Sequence, residues 1–306
     1  MILCCGEALI DMLPRQTSAG EQAFAPYAGG AVFNTAIALG RLECKPGFFC
    51  PLSSDLFGEL LVDKLNDADV NIDLSPRPDA PTTLAFVRLQ NGQATYTFYD
   101  ENSALTSLRE DDLPPLPNRV NALFFGGISL AAGQSAQAFA ALLARSGSDR
   151  VTMIDPNIRP GFIKNRDDFV TRINAMMAQC DIVKLSDEDL HWLEGDGEIA
   201  ALAQGILSRG TKLVLITQGA DGVIGYMANQ RVFSPAQKVE VVDTVGAGDT
   251  FNAGFLASLQ ENDLLRKSDI SNLSHAQLQN ALAMGARCAA VTVSRAGANP
   301  PKRSEL

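Results

Sequence analysis

Short apolar runs typical of buried strands alternate, along the second half of the chain, with segments of helical periodicity. The apolar runs occupy residues 122–128, 151–154 and 211–216, and the helical segments include residues 134–145 and 164–178. Continuous apolar runs of this length are typical of a parallel sheet that is buried on both faces. The pattern predicts an α/β fold with a doubly wound, mostly parallel sheet flanked by helices.

The first half of the chain is less regular. Residues 2–12 predict a core strand with Asp11 at its carboxyl end, and residues 13–27 follow without a helical period. Residues 28–36 are predicted to open a helix, and residues 57–70 have an amphipathic helical pattern. Because the carboxyl ends of strands line the ligand crevice in open α/β sheets, Asp11 is a candidate ligand contact. The alternative for Asp11 is a turn.

Two β-rich segments, residues 82–89 and 94–99, flank the pair Asn91-Gly92. Asn-Gly between such segments is a strong signal for a tight hairpin. Because helices follow most of the other strands, this antiparallel pair is predicted to lie outside the main sheet, as a small inserted β lid.

The domain organisation follows from the absence of interruptions in the sequence. A chain of 306 residues can bury one large core or two smaller ones, and no repeat, low-complexity tract or Pro/Ser linker divides it. We therefore expect a single domain over residues 1–306, with lid segments inserted at approximately 13–28 and 81–100.

Charge and cysteine usage narrow the partners and the compartment. The net charge is −10 without a Lys/Arg cluster, which argues against nucleic acid and membrane as partners. The apolar N-terminal run ends at Gly6-Glu7 and is too short for a secretion signal or a membrane span. The six cysteines lack Cys-x-x-Cys spacing, which predicts reduced, buried thiols in a cytoplasmic protein.

The strongest candidate for chemistry is a glycine turn followed by a carboxylate. Gly246, Ala247 and Gly248 stand between a β-rich run at residues 238–242 and a helical pattern. Small residues at a helix N-terminus let backbone N–H groups bind an anion such as phosphate. Asp249 follows at once and could take the proton of an attacking hydroxyl. The alternative is a plain glycine turn with Asp249 as a helix cap.

Further polar residues lie at predicted strand ends and helix starts. Gly29 and Gly30 precede a helix, and Asn34 stands one turn into it, where its amide could face the crevice. The alternative for the two glycines is tight packing of a strand against the helix. Asn157 and Arg159 place a donor and a cation after another strand, with an Asx turn as the alternative.

Two of these segments resemble the signatures of a known family. Residues 243–251 closely resemble the C-terminal signature of the ribokinase-like sugar kinases (the phosphofructokinase-B family), and residues 28–36 are similar to its N-terminal signature. The resemblance spans nearly the full length and implies a ribokinase-like fold. It implies transfer of the γ-phosphoryl group of ATP to a sugar hydroxyl, with Asp249 as base, Gly246, Ala247 and Gly248 as the oxyanion site, and Mg²⁺ brought by the nucleotide.

The resemblance also implies where the sugar binds. The implied and candidate sugar contacts are Asp11, Gly29, Gly30, Asn34, Arg88, Phe98 and Arg159. In the family the lid covers the sugar and often pairs with its copy. We therefore expect a homodimer paired through the lids, because Leu84, Phe86, Tyr96 and Phe98 would stand on an unpaired β edge. The alternative for Arg88 is a solvated strand residue.

The nucleotide half of the site is implied in the same way. The implied ATP contacts are Asn157, Lys184, Ser186, Thr217, Gly219, Gly222 and Asn280. No direct metal ligand is predicted; Asp189 is a candidate for ordering the waters of the metal, and the loops around Asp243 are a candidate site for a monovalent cation such as K⁺. The family has Asn and Glu where this chain has Ser186 and Asp189, and the alternative for these two residues is a capped helix start.

The expected reaction is the conversion of D-fructose to fructose 6-phosphate. Residues 6–11, 155–159 and 184–188 look most like those of fructokinases. The alternative is a 2-keto-3-deoxygluconate kinase, whose acidic substrate Arg88 and Arg159 could serve, or another ribokinase-like sugar or nucleoside kinase. A catalytically silent sugar- or nucleotide-binding regulator is the non-kinase alternative. The sequence has no Gly-Lys dipeptide, which excludes a Walker P-loop. It also has no early Gly-x-Gly-x-x-Gly, which disfavours an NAD-dependent dehydrogenase.

Overall fold

The computed structural model describes residues 1–90, 93–131 and 133–306. The strands are β1 (Ile2–Cys5), β2 (Leu9–Gln16), β3 (Gln22–Gly29), β4 (Gly47–Phe49), β5 (Leu84–Gln90), β6 (Gln93–Tyr99), β7 (Ala122–Gly126), β8 (Val151–Asp155), β9 (Ile182–Ser186), β10 (Leu213–Thr217), β11 (Val223–Met227) and β12 (Gln230–Ser234). The α-helices are α1 (Ala31–Arg41), α2 (Leu56–Asp67), α3 (Gly133–Ser146), α4 (Arg166–Gln179), α5 (Asp187–Glu194), α6 (Ile199–Ser208), α7 (Ala247–Glu261), α8 (Lys267–Ser271) and α9 (His275–Val293).

Across the described part of the chain, the larger sheet has eight strands in the order β12-β11-β10-β9-β8-β7-β1-β4. The strands from β10 to β4 in this order run parallel, and β11 and β12 form an antiparallel edge. One apolar cluster joins the sheet to α1, α2, α7 and α9, and a second joins its other face to α3, α4, α5 and α6. The predicted doubly wound, mostly parallel α/β sheet is confirmed.

Helix α7 is buried around its whole circumference. Its residues 249–259 are all buried, and its contacts with α9 are close because small residues meet at the crossing. A Cβ at Gly254 would lie 2.9 Å from the backbone oxygen of Met284, and a Cβ at Gly285 would lie 2.9 Å from that of Phe251. The two glycines therefore let the helices approach, and this packing fixes the N-terminus of α7 in the molecule.

A smaller sheet, with the order β3-β2-β5-β6, stands apart from the larger one. The prediction of one core strand over residues 2–12 was wrong, because β1 ends at Cys5 and β2 begins at Leu9. Gly6 makes the tight crossing, since a Cβ there would lie 2.4 Å from Val32 Cγ2. Asp11 therefore belongs to the smaller sheet. The aperiodic stretch after it pairs as the antiparallel hairpin of β2 and β3.

The predicted antiparallel pair of the lid is present as β5 and β6, and the predicted Asn91-Gly92 turn between them lies outside the described residues. The expected unpaired edge of the hairpin is found on β6, which ends the smaller sheet in the described part of the chain. For β5 the expectation was wrong, because β5 also pairs in parallel with β2. The register sets Asp11 beside Ala85, and Ala85 beside Phe98, so these side chains share one face. Phe86 is one residue on and faces the other way.

The β-rich run at residues 238–242 does not form a strand. The backbone N–H groups of Val242 and Asp243 both donate to the oxygen of Val293, at the end of α9. Val241 is 61% exposed, because the run crosses the surface instead of entering the sheet. β-propensity alone was therefore misleading here.

The cysteine thiols and the apolar character of the helices bear on where the protein can reside. The six cysteines are free and buried, as the sequence predicted. Within the described residues, no helix is both long enough and apolar enough to cross a bilayer.

Candidate active site

An open cleft of about 320 Å³ lies between the carboxyl ends of the larger sheet, the N-terminus of α7 and one face of the smaller sheet. Many residues that the sequence singled out line this cleft. They are Asp11, Gly30, Asn34, Phe98, Asn157, Arg159, Lys184, Gly246, Ala247, Gly248 and Asp249. Residues far apart in the chain therefore converge on one space large enough for a small polar molecule.

Asp249 lies in the first turn of α7 and is 8% exposed. Its Oδ2 accepts a hydrogen bond of 2.9 Å from Asn34 Nδ2, and its backbone oxygen accepts one of 3.2 Å from Thr35 Oγ1. Burial raises the pKa of Asp249 to about 7, the Asn34 hydrogen bond opposes this, and the charge of Asp155 adds to it. A carboxyl group with a pKa near 7 is suited to general-base chemistry.

The N-terminus of α7 fits an anion. Gly246 is its N-cap in the left-handed region, with φ of 78°, and no side chain among the described residues caps this helix. A Cβ at Gly246 would lie 2.8 Å from Ala298 Cβ, so the turn requires glycine. The interpretation of Asp249 as a helix cap is wrong, because its carboxylate points to Asn34. The helix dipole and the backbone N–H groups are thus directed at the cleft.

A buried cation stands beside this N-terminus. Lys184 Nζ donates a hydrogen bond of 2.9 Å to Asp155 Oδ2, and both side chains are buried. Asn252 Nδ2 donates to the same Oδ2 at 2.7 Å. A Cβ at Gly248 would lie 3.3 Å from Lys184 Nζ, so the glycine leaves room between the ammonium and the helix. The cleft therefore combines an ammonium with backbone donors around one position.

The loop after β8 is shaped by two carboxylates. Asn157 has a positive φ of 45°, and its backbone N–H donates to Asp155 Oδ1 at 3.2 Å. Asp189 Oδ1 accepts from the backbone N–H of Ile158 at 3.2 Å, and burial, followed by the charge of Asp155, raises the pKa of Asp189. Ser186 is the N-cap of α5, as the helix-start alternative proposed. This loop carries Arg159 into the cleft.

The lid supplies the opposite wall. Burial raises the pKa of Asp11 to about 6. A Cβ at Gly29 would lie 2.3 Å from Asp11 Oδ2, so Gly29 serves to make room for this carboxylate and does not itself line the cleft. Phe98 contacts Phe162, with ring centroids 3.8 Å apart, and stacks on Tyr96 at 5.9 Å. These aromatic rings join the lid to the loop after β8.

Several predicted contacts lie outside this cleft. Arg88 is exposed, and it follows Val87 on β5, so strand alternation turns it away from the face that carries Ala85. Asp243 joins two loops, because its Oδ1 accepts from Val245 N at 3.0 Å and its Oδ2 accepts from Gly297 N at 2.8 Å. The other residues that do not line the cleft are Ser186, Asp189, Thr217, Gly219, Gly222 and Asn280.

Sequence reasoning missed several residues of the site: Glu7, Tyr96, Asp155, Phe162 and Asn252. Asp155 was detectable, because an acid directly after an apolar strand faces the crevice. Glu7 was detectable as an acid that follows an apolar run. Tyr96, Phe162 and Asn252 carry no local signal, since their roles depend on partners that are distant in the chain.

Known proteins share sequence similarity with this chain over most of its length. The pfkB family of carbohydrate kinases matches residues 1–305. A fructokinase from Rhizobium leguminosarum bv. trifolii is 51% identical over 280 residues, 92% of this chain and 86% of that protein.

Solved structures show the same relationship. Fructokinase with bound ATP from Xylella fastidiosa has a TM-score of 0.88 at 29% identity, over 97% of this chain and 93% of that one. A fructokinase double mutant from Vibrio cholerae, in a form with fructose, ADP and potassium ion bound, has a TM-score of 0.83 at 26% identity, over 97% and 93% of the two chains. The chain belongs to the pfkB family of carbohydrate kinases.

Proposed function

We propose that this protein is an ATP-dependent fructokinase that converts D-fructose to fructose 6-phosphate. The observation that carries the proposal is the placement of the Asp249 carboxylate, held by Asn34, at the uncapped N-terminus of α7. The relative of 51% identity, which is named a fructokinase, supports the choice of sugar.

The chemistry follows from this arrangement. Asp249 takes the proton of the sugar hydroxyl, the hydroxyl oxygen forms a bond to the γ-phosphorus of ATP, and the bond from that phosphorus to the β-γ bridging oxygen breaks to release ADP. The N–H groups at Gly246–Gly248 and the Lys184 ammonium stabilise the negative charge on the transferred group. Thr217, Gly219, Gly222 and Asn280 remain our proposed contacts for the rest of the nucleotide.

The ions are proposed on the chemistry of the available donors. Among the described residues, no three His, Cys, Asp or Glu side chains are grouped to hold a metal, and the Asp155 carboxylate is bonded to Lys184 and Asn252. Mg²⁺ therefore enters with the nucleotide, and Asp189 stays the candidate for ordering its waters. We place the proposed K⁺ ion near Asp243, and the potassium ion that is bound in the Vibrio cholerae fructokinase structure supports the choice of ion.

Our choice of a neutral sugar as the substrate rests on the small number of cationic side chains that line the cleft. Among the described residues, Arg159 and Lys184 are the cations that line it, and Lys184 is paired with Asp155. Arg88 does not line it, which favours a neutral sugar over an acidic one. ADP release should be measured with fructose, ribose, 2-keto-3-deoxygluconate, adenosine and fructose phosphates. Turnover of 2-keto-3-deoxygluconate without turnover of fructose would establish the alternative. Binding without any turnover would establish the silent regulator.

Replacement of Asp11 by Ala should raise KM for fructose by about 10²-fold or more, because the buried sugar hydroxyl groups that Asp11 would bind are left without a hydrogen-bond partner. KM for ATP should stay near that of the parent, since Asp11 stands on the lid. The measurement is steady-state kinetics with each substrate varied in turn. The control is Glu101→Ala, which removes an exposed acid two residues after β6. Equal effects of the two substitutions would show that Asp11 does not bind the sugar.

We also propose that residues 1–306 form one kinase domain. The protein is proposed to act in the cytoplasm, where its six free thiols would stay reduced.

We further propose that the protein is a homodimer, in which the lid pairs with the lid of a second copy. The face of the lid away from the cleft carries an aromatic cluster. Phe24 and Phe86 have ring centroids 5.0 Å apart, and Phe86 and Tyr99 are 5.4 Å apart. Phe24 is 49% exposed and Tyr99 is 62% exposed, and exposed aromatic faces of this kind favour association.

Replacement of Phe24 by Asp should convert the dimer to a monomer, because a charge would then lie inside an apolar interface. Light scattering at micromolar concentration measures the mass. Phe233→Asp is the matched control, because Phe233 is 48% exposed on β12, an edge strand of the larger sheet. A parent protein that is a fully active monomer would rule out the proposed dimer.

A further inference from the structure

We infer that Glu7 is a positioning residue. It binds the N-terminus of α1 to the two segments that connect the larger sheet with the smaller one, and through Asn34 on α1 it holds Asp249 in place. This inference rests on the proposed function, because it names what keeps the proposed base in position. Glu7 takes no part in the transfer itself and acts through α1.

Glu7 stands where the chain passes from the larger sheet to the lid. Residues 6–8 are the link between β1 of the larger sheet and β2 of the smaller one. The chain returns from the lid at β3, and α1 follows after Gly30. The outward and the return crossing are therefore neighbours, and Glu7 is the charged residue between them.

The Glu7 carboxylate bonds to both sides of this crossing. Its Oε1 accepts from Ala31 N at 2.8 Å and from Val32 N at 3.5 Å, in the first turn of α1. Its Oε2 accepts from Ser129 N at 3.1 Å, in the turn that follows β7. The side chain is 1% exposed, so these charge-assisted bonds are made away from water. One carboxylate thus fixes α1 relative to the lid crossing and to the larger sheet.

Glycines around Glu7 show how closely the chain fits it. A Cβ at Gly127 would lie 2.0 Å from Glu7 Oε1, and a Cβ at Gly30 would lie 2.8 Å from the Glu7 backbone oxygen. Both glycines have positive φ, 66° and 112°. Burial raises the pKa of Glu7 in spite of the backbone hydrogen bonds, which is the expected response of a carboxyl group in a dry site. The backbone therefore fits closely around Glu7, and neither glycine position has room for a side chain.

The path from Glu7 to the base is short. Ala31 and Val32 begin the same helical turn that carries Asn34 and Thr35. Asn34 Nδ2 donates to Asp249 Oδ2 at 2.9 Å, and Thr35 Oγ1 donates to the Asp249 backbone oxygen at 3.2 Å. A shift of this turn therefore moves both donors to Asp249. Misplacement of about 1 Å at a reacting group reduces rates by about 10²-fold.

The decisive test is a double-mutant cycle on kcat. Glu7→Gln in the parent should lower kcat by about 10- to 100-fold. In an Asn34→Ala background the same substitution should lower kcat by less than about threefold, because Asn34 is the donor of α1 that bonds to the Asp249 carboxylate, and Thr35 bonds only to the Asp249 backbone oxygen. An equal loss in the two backgrounds would overturn the inference and leave Glu7 a purely structural residue.

The matched control is Asp181→Asn. Asp181 is also a buried carboxylate, and it accepts a hydrogen bond of 2.9 Å from the backbone N–H of Thr152. Because it precedes β9, it lies at the amino-terminal ends of the strands, whereas the cleft lies at their carboxyl ends. It should lower the melting temperature and leave kcat unchanged in both backgrounds. If Glu7→Gln does not fold, Glu7→Asp enters the same cycle, because the shorter side chain keeps the charge and loses part of the reach.

A second measurement does not depend on turnover. Amide hydrogen exchange at Ala31 and Ser129 should be about tenfold faster or more in Glu7→Gln than in the parent, and unchanged in Asp181→Asn. Unchanged exchange at Ala31 in Glu7→Gln would contradict the inference. The cycle is run with whichever sugar the parent phosphorylates, so failure of fructose as substrate bears on the proposed function and not on Glu7.

Discussion

Replacement of Asp249 by Asn should lower kcat by about 10²–10⁴, the share of a positioned general base. The amide keeps the shape and can still accept from Asn34, but it cannot take the proton of the sugar hydroxyl. ATP should bind as in the parent, because the backbone donors of α7 remain. The measurement is steady-state turnover, together with the dissociation constant of ATP.

The pH dependence provides a separate readout of the same prediction. Since burial raises the pKa of Asp249 to about 7, the base is protonated below that pH, and kcat in the parent should rise as pH rises through about 7. The remaining activity of Asp249→Asn should lack this limb. A pH profile of the same form in both proteins would place the titrating base elsewhere.

Two other variants separate the possible roles of this position. Gly248→Val should weaken ATP binding as well as turnover, because its side chain would enter the space next to Lys184 Nζ. Asp167→Asn removes an exposed acid from the first turn of α4 that does not line the cleft, and should leave kcat unchanged. If Asp249→Asn behaved like Asp167→Asn, Asp249 would contribute only to helix stability.

Replacement of Lys184 by Met should lower both the free energy of unfolding and the rate of phosphoryl transfer. Asp155 would be left as an uncompensated buried charge, which destabilises a protein by about 3–5 kcal/mol. Loss of a donor to the transferred group should lower kcat by roughly 10²–10³. Urea unfolding and steady-state kinetics measure the two effects.

A second substitution separates stability from catalysis. In Lys184→Met with Asp155→Asn, the buried pair becomes neutral while the acceptor for Asn252 is retained, so most of the stability should return and the rate should not. The control Lys267→Met breaks another pair, in which Lys267 Nζ lies 2.6 Å from Asp181 Oδ2, and should affect stability alone. Recovery of the rate together with stability would mean that Lys184 has no part in catalysis.

Some features of the fold and the site are local in the chain. The strands β7, β8 and β10 were predictable, because each lies in a short apolar run of the kind that a buried parallel strand needs. The glycine turn before Asp249 was predictable for a related reason, since a positive φ at Gly246 and close approach to a ligand restrict the residue types within a few positions.

The register of the lid was beyond local reasoning. Arg88 was expected at the sugar, and its position in β5 turns it away, because one residue of shift reverses the face of a strand. The parallel pairing of β2 with β5 joins segments about 75 residues apart in the chain, so no local pattern indicates it.

The sequence by itself determined the alternation of strands and helices around β7, β8 and β10, the glycine turn before α7 and the residue that we propose as the base, because short-range periodicity, glycine backbone freedom and residue chemistry are properties of neighbouring residues. Only the tertiary structure decided what holds that base. Asn34 and Asp249 are 215 residues apart, and Lys184 and Asp155 are 29 apart. Such contacts arise from the packing of whole elements, and a buried carboxylate such as Glu7 shows its role only when the N–H groups around it are in place.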